Sequence, residues 1–320
     1  MPEYSPPRLL RSAHVQSVLA GLPTREFALL RRCAPALAGT VRETIDVGGG
    51  VRLYADITPP ARPGRMVILL HGWEGSSGSQ YMVSVAARLA RAGFRVVRLN
   101  FRDHGDSHHL NREIFHSCRL DEVLGAVRVL ATRWQGERIC LGGFSLGGNF
   151  AMRIAAAAPD AGVELARVVA VCPVLDPRET MAALEAGPYL YQLYFLRKWR
   201  HSLVLKQRAF ADVYDFGDLN RFTSLREMTD YFVRGYTDFP DLDTYLRGYA
   251  ITGDRLARLE VPAEILLAED DPVIPVTGAT ALARPRSLTL RRSRHGGHVS
   301  FLADYRLRSW LDDYVAERFA

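Results

Sequence analysis

Apolar and polar positions change rhythm several times along this chain of 320 residues, and each rhythm predicts a different kind of element. Residues 1–40 mix proline, arginine and short apolar stretches, and read as a wrapping segment of a larger domain. Residues 41–47 and 51–57 alternate apolar and polar side chains around Gly48-Gly49-Gly50, which predicts a hairpin. After a linker at 59–65 comes a continuous apolar run, 66–70, as expected of a strand buried on both faces. Residues 80–92 have helical spacing and stop at Gly93. The pattern then predicts a strand at 95–99, a helix at 120–134, a strand at 138–141, a helix at 145–158 and a strand at 168–172. Such alternation implies a mostly parallel sheet with helices on both faces.

The rhythm breaks over residues 175–259, which are rich in tyrosine and show no strand pattern. This stretch is expected to be a helical cap inserted after the sixth strand. The alternation resumes with a strand at 263–268, a helix at 276–283, a strand at 287–291 and a helix at 301–319. The expected organisation is thus an α/β core made of 1–174 and 260–320, interrupted by a cap.

Catalytic groups in open α/β sheets gather at the carboxyl ends of strands. Four such ends carry suitable residues. The first is His71-Gly72-Trp73-Glu74-Gly75, and the second is Gly143-Phe144-Ser145-Leu146-Gly147. The others are Glu269-Asp270-Asp271-Pro272 and His295-Gly296-Gly297-His298. The second is a G-x-S-x-G pattern between a strand and a helix, the context of a nucleophile elbow. A serine hydroxyl is a weak nucleophile and needs a base within hydrogen-bond reach. His298 is the candidate, because two glycines before it let its loop approach the elbow, and His295 competes with it. Asp271 is the candidate acceptor for the other imidazole nitrogen, and Asp270 is the neighbour that could take its place. The chain order Ser, Asp, His is that of α/β-hydrolases. The backbone N–H groups of Leu146 and Trp73 are the expected donors to a tetrahedral oxyanion.

Composition narrows the picture. The net charge is +6, but arginine is spread along the whole chain with acids interleaved, so nucleic acid is not an expected partner. The only lysines are Lys198 and Lys206. They fall in FLRKWRHSLVLKQR (195–208), which reads either as a solvated face or as a membrane-leaning helix beside a lipophilic entrance. A second basic cluster, Arg284, Arg286, Arg291, Arg292 and Arg294, reads as a solvated face. The four cysteines, Cys33, Cys118, Cys140 and Cys172, include no C-x-x-C pair and are expected to be free thiols. Four histidines share the loop FRDHGDSHHLNREIFH (101–116), without zinc-ligand spacing. Neither a metal nor a cofactor is expected. No run reaches the ~20 apolar residues of a membrane span, and the first residues lack a basic-then-apolar leader, so the expected compartment is the cytoplasm.

Six segments together carry a resemblance: AHVQSVL (13–19), HGWEGSSGSQY (71–81), NFRDHGDS (100–107), GFSLGGN (143–149), AEDDPVIP (268–275) and HGGHVSF (295–301). On these the chain resembles the YheT-like branch of the α/β-hydrolases over most of its length. The resemblance implies an α/β-hydrolase fold and a Ser145–His298–Asp271 triad. It further implies hydrolysis of carboxylic esters, often lipid-like acyl esters, without a cofactor. Three positions depart from the branch pattern: Asp103 stands where glycine is usual, Trp73 where leucine is usual, and SLREMTDYF (224–232) differs from the usual cap segment. None touches the triad. The function expected is therefore a serine-dependent carboxylic ester hydrolase working on a small acyl ester through an acyl-enzyme. The alternatives are an acyltransferase, which needs a dry site under the cap, an amidase or peptidase on the same triad, and a non-catalytic scaffold. The sequence leaves the oligomeric state open.

Overall fold

The computed structural model describes residues 3–320. Among the described residues there are eight strands: β1 (Val41–Gly48), β2 (Val51–Thr58), β3 (Arg65–Leu70), β4 (Arg95–Leu99), β5 (Arg138–Phe144), β6 (Arg167–Val171), β7 (Ala263–Ala268) and β8 (Leu288–Ser293). They form one sheet in the order β1-β2-β4-β3-β5-β6-β7-β8. The β1–β2 hairpin and the β2–β4 pair are antiparallel, and every other pair is parallel. The fold is that of an α/β hydrolase.

The apolar runs become central strands because both their faces are covered. In β3, Met66, Ile68 and Leu70 enter one core, which also holds Val123, Val127 and Leu130 of α4 (Leu120–Arg133) and Phe150 and Ile154 of α5 (Leu146–Ala157). The alternate residues Val67 and Leu69 enter a second core on the opposite face. There they meet Val85 and Leu89 of α3 (Gln80–Arg91) and Leu311, Val315 and Phe319 of the C-terminal helix, Leu311–Phe319. The period-two direction of strand side chains thus splits one continuous run between two cores.

The wrapping segment carries α1 (Ala13–Ala20) and α2 (Pro23–Cys33). Between β6 and β7 stand α6 (Pro177–Ala186), α7 (Tyr189–Ala209), α8 (Leu225–Tyr236) and α9 (Leu242–Gly248), with no strand among them. Three of these have a side-chain cap of the expected kind. Asp176 accepts from Arg178 N–H at 2.9 Å, Ser224 from Glu227 N–H at 3.1 Å and Asp241 from Thr244 N–H at 2.7 Å.

Two expected helices differ. Residues 276–283 form only a short 3-10 stretch, Val276–Ala281. The helix expected over 301–319 begins at Leu311. Its first half is looped because other groups take its backbone. Gln16 Oε1 accepts from Leu302 N–H at 2.9 Å, Tyr4 Oη donates to Leu302 O at 2.8 Å, and Asp304 Oδ1 accepts from Arg306 N–H at 3.0 Å.

Candidate active site

A single residue, Ser145, joins β5 to α5, with φ 53° and ψ −119°. Positive φ is unfavourable for a residue with a side chain, so the surroundings must impose it. They do so through the backbone: Ser145 N–H donates to Val171 O at 2.9 Å, and Ser145 O accepts from Asn149 N–H at 3.1 Å. The flanking glycines are required by close approach. A Cβ on Gly143 would lie 2.1 Å from Gly147 O, and one on Gly147 would lie 2.2 Å from Leu70 O.

His298 lies 153 positions further along the chain, yet its Nε2 is 3.0 Å from Ser145 Oγ. Its Nδ1 faces both carboxylate oxygens of Asp271, at 3.1 and 3.0 Å. The Asp271 side chain is 1% exposed. Its Oδ1 also accepts from Val273 N–H at 2.8 Å and Ile274 N–H at 3.0 Å, so the turn after β7 fixes its direction. With Nδ1–H donating to Asp271, Nε2 is left as the acceptor facing the hydroxyl, the arrangement in which imidazole can take a serine proton.

The neighbouring pair is occupied elsewhere. Asp270 Oδ1 accepts from Gly297 N–H at 2.9 Å, and its Oδ2 lies 3.6 Å from His295 Nδ1. Burial raises the Asp270 carboxyl above its ordinary value. Asp270 thus braces the loop that carries His298.

The segment after β3 lies against Ser145: a Cβ on Gly72 would be 3.2 Å from Ser145 Cβ. Two side chains fix it. Tyr81 Oη accepts from Gly72 N–H at 2.9 Å. Buried His71 accepts from Phe101 N–H at 3.1 Å through Nε2, while its Nδ1 faces Gly72 O at 2.8 Å. Burial pushes His71 down to about 4, which keeps it neutral in this double role. Trp73 follows directly. Leu146 opens α5, so its N–H is among the first-turn donors that have no acceptor within a helix.

The family model for the alpha/beta hydrolase family matches residues 67–308, three quarters of the chain, and spans all these groups. The chain belongs to the alpha/beta hydrolase family. A curated relative, YheT of Escherichia coli (strain K12), a candidate esterase by name, is 25% identical over 98% of this chain and 92% of its own length. Among solved structures, a 2,6-dihydroxy-pseudo-oxynicotine hydrolase superposes with a TM-score of 0.59 at 18% identity, covering 92% of this chain and 72% of that one. The esterase Pf2001 of Pyrococcus furiosus superposes with a TM-score of 0.57 at 15% identity, covering 90% of this chain and 93% of its own.

A cavity opens beside Ser145. It measures about 130 Å³. Its lining includes Trp73 and Leu146 from the core, Phe195 and Trp199 from α7 and Phe232 from α8. Trp73 stacks on Phe195 with centroids 5.4 Å apart and meets Trp199 edge-on at 5.4 Å. A wider groove of about 480 Å³ lies at the other end of β5, beside Arg128, Trp134, Arg138 and Glu164, away from the serine.

The four histidines of the 101–116 loop disperse. His104 Nδ1 meets Arg102 O at 2.7 Å, His108 Nε2 meets Ser202 Oγ at 2.9 Å, and His109 Nε2 meets Tyr54 Oη at 3.3 Å. His116 lines the cavity, and burial, helped by Arg119, Arg102 and Arg153, pushes it down to about 3. All four cysteines are free, and burial raises Cys172, Cys140 and Cys118.

Sequence reasoning missed the residues that brace the His298 loop from α1. Ser17 Oγ accepts from His298 N–H at 3.3 Å, and Gln16, fully buried, takes Leu302 N–H and the Tyr4 hydroxyl. The signal was present: a glutamine on an otherwise apolar stripe, in a segment that already carried the family resemblance. It also missed Lys198, which donates to Glu74 O at 2.8 Å, and the buried pair of Lys206 Nζ with Asp103 Oδ1 at 2.9 Å.

Proposed function

We propose that this protein hydrolyses carboxylic esters through an acyl-enzyme on Ser145. The observation that carries this reading is the continuous chain of hydrogen bonds from Ser145 Oγ through His298 to buried Asp271, beside an apolar cavity. His298 takes the hydroxyl proton as Ser145 Oγ attacks the ester carbonyl, then returns it to the leaving alkoxide. Asp271 holds the imidazole tautomer and stabilises the imidazolium. The N–H groups of Leu146 and Trp73 receive the oxyanion. Water, activated by the same imidazole, releases the acid. Helices α6–α9 act as a cap, and the aromatic cavity of Trp73, Phe195, Trp199 and Phe232 takes the acyl group. The substrate class is a small, apolar acyl ester.

Hydrolysis of p-nitrophenyl esters from acetate to palmitate, with wild type beside Ser145→Ala, tests this. The expected result is Ser145-dependent turnover with a preferred acyl length, and a loss of up to ~10⁶ in kcat in the variant. Turnover that survives Ser145→Ala would overturn the assignment.

A further inference from the structure

The two halves of α7 have opposite fates. Its later turns are packed: Leu196, Ser202, Leu203 and Lys206 are buried, and Phe195 and Trp199 cover Trp73. The stretch 195–208 therefore sets one face on the core and leaves Arg197, Lys198, His201, Val204 and Arg208 exposed. Its first two turns expose Tyr189 by 56%, Leu190 by 61%, Leu193 by 43% and Tyr194 by 52%. Helix α1 continues this surface. His14 Nδ1 meets Tyr191 Oη at 2.9 Å, which lays α1 beside the start of α7, and Val15 and Val18 flank His14 on the exposed side. The same α1 carries Ser17, bonded to the His298 backbone, so the apolar face lies at the rim of the site.

Charge distinguishes this face from an ordinary sticky surface. No aspartate or glutamate occurs between Tyr4 and Arg25, or between Ala186 and Ala211. The charged residues of these stretches are all basic, among them exposed Arg8, Arg11 and Arg197. Exposed tyrosine and leucine whose charged neighbours along both stretches are basic suit a boundary where hydrocarbon lies beneath diffuse negative charge.

We propose that the exposed face formed by α1 and the first two turns of α7 docks on an anionic lipid surface. Docking there sets the apolar turns of α7 into the headgroup region while its later turns stay on the core. The cavity then opens at the lipid boundary, and an apolar ester enters without crossing water. The proposal does not depend on ester turnover, since binding can be read on Ser145→Ala.

Co-sedimentation with vesicles of phosphatidylcholine alone, and of phosphatidylcholine mixed with phosphatidylglycerol, tests it. The full-length chain is expected to sediment with the mixed vesicles, to release as salt is raised, and to stay in solution with phosphatidylcholine alone. The Leu190→Ser/Leu193→Ser double variant is expected to bind at least about tenfold more weakly, and Arg197→Glu to weaken binding at low salt. Both should keep the wild-type melting temperature and circular-dichroism spectrum, which report that they fold. Equal binding to both vesicle types, or equal binding by wild type and double variant, would overturn the proposal. So would wild-type self-association in sedimentation velocity that the double variant abolishes while neither sediments with vesicles. That result would assign the face to a second copy of the chain.

Discussion

The Ser145 elbow and the helices α6–α9 are both held against the sheet, but by different means. The elbow is built from backbone: a peptide hydrogen bond to Val171, a positive φ, and glycines where a Cβ would meet a carbonyl oxygen at 2.1–2.2 Å. The helices are seated largely by side chains. Lys198 donates to Glu74 O, Lys206 pairs with Asp103, Tyr245 Oη accepts from Ser117 N–H at 3.0 Å, and Asn149 Nδ2 donates to Tyr249 O at 2.7 Å. Of the 41 lysines and arginines in the chain, both lysines lie on α7 and both reach across to core loops. A backbone-built site has its geometry before any substrate arrives. A side-chain-built seat can be loosened one residue at a time, and substitutions should separate the two.

The largest expected effect on this contrast lies within the acid pair. Asp271→Asn leaves a neutral acceptor beside Nδ1 and favours the wrong tautomer. It should lower kcat on the order of 10⁴-fold with little change in Tm. Asp270→Asn keeps an oxygen for the Gly297 N–H, so a loss within about tenfold is expected. Steady-state kinetics on both variants checks this. Equal losses would break the assignment, and a larger loss at Asp270 would move the acid there.

The elbow was legible in the sequence because its requirements are local. Apolar runs report burial on both faces, and G-x-S-x-G reports close approach on either side of one serine. The strands at 95–99 and 263–268 have the bounds their apolar pattern predicts. The seat was not legible because its partners are far apart in the chain. Lys206 and Asp103 are separated by 103 positions, and each alone reads as a surface charge. The 301–319 stretch shows the same limit from the other side. Its spacing is helical, but Gln16 and Tyr4 take the backbone groups of Leu302, and Phe301 and Leu307 adopt positive φ. For the same reason an apolar-basic pattern over 195–208 could not say which turns of α7 would be covered.

The seat should break most clearly at Lys206. Its ammonium is 1% exposed and bonds Asp103 together with the carbonyls of Asn111 and Glu113. Lys206→Met strands Asp103 in the interior and should cost about 3–5 kcal/mol of stability by denaturant titration. The double variant Asp103→Gly/Lys206→Met removes both charges and suits the positive φ of 55° at position 103, so it should recover much of that loss. A double variant no more stable than Lys206→Met would show that the carbonyl contacts dominate. A smaller effect is expected at the brace from α1. Gln16→Leu leaves Leu302 N–H without its acceptor, at about 1–3 kcal/mol, while the Tyr4 hydroxyl keeps Leu302 O. Because the same loop carries His298, kcat should fall more than KM rises.

The finest distinction is one of pH, read at His108, which joins the 101–116 loop to Ser202 of α7. Burial, followed by the Lys206 charge, pushes this imidazole down from 6.5 to about 4 in the folded protein. The unfolded chain therefore takes up the proton first as pH falls. His108 contributes stability that is complete above about pH 6.5 and is lost on the way down to about pH 4, with a slope approaching 1.4 kcal/mol per pH unit. Asp103 works in the opposite direction. Burial raises its carboxyl above the ordinary value against the pull of Lys206, so its contribution is present at low pH and is lost as pH rises through the raised value. The two oppose each other across the same junction, and a wild-type pH profile alone would mix them. His108→Asn keeps a polar side chain facing Ser202 and leaves Asp103 in place. The difference between wild-type and variant unfolding free energies should then shrink as pH falls from 6.5 to 4. A difference that stays constant over that range would mean the imidazole is charged in the fold, and that the loop on which α7 rests is more open to water than its burial implies.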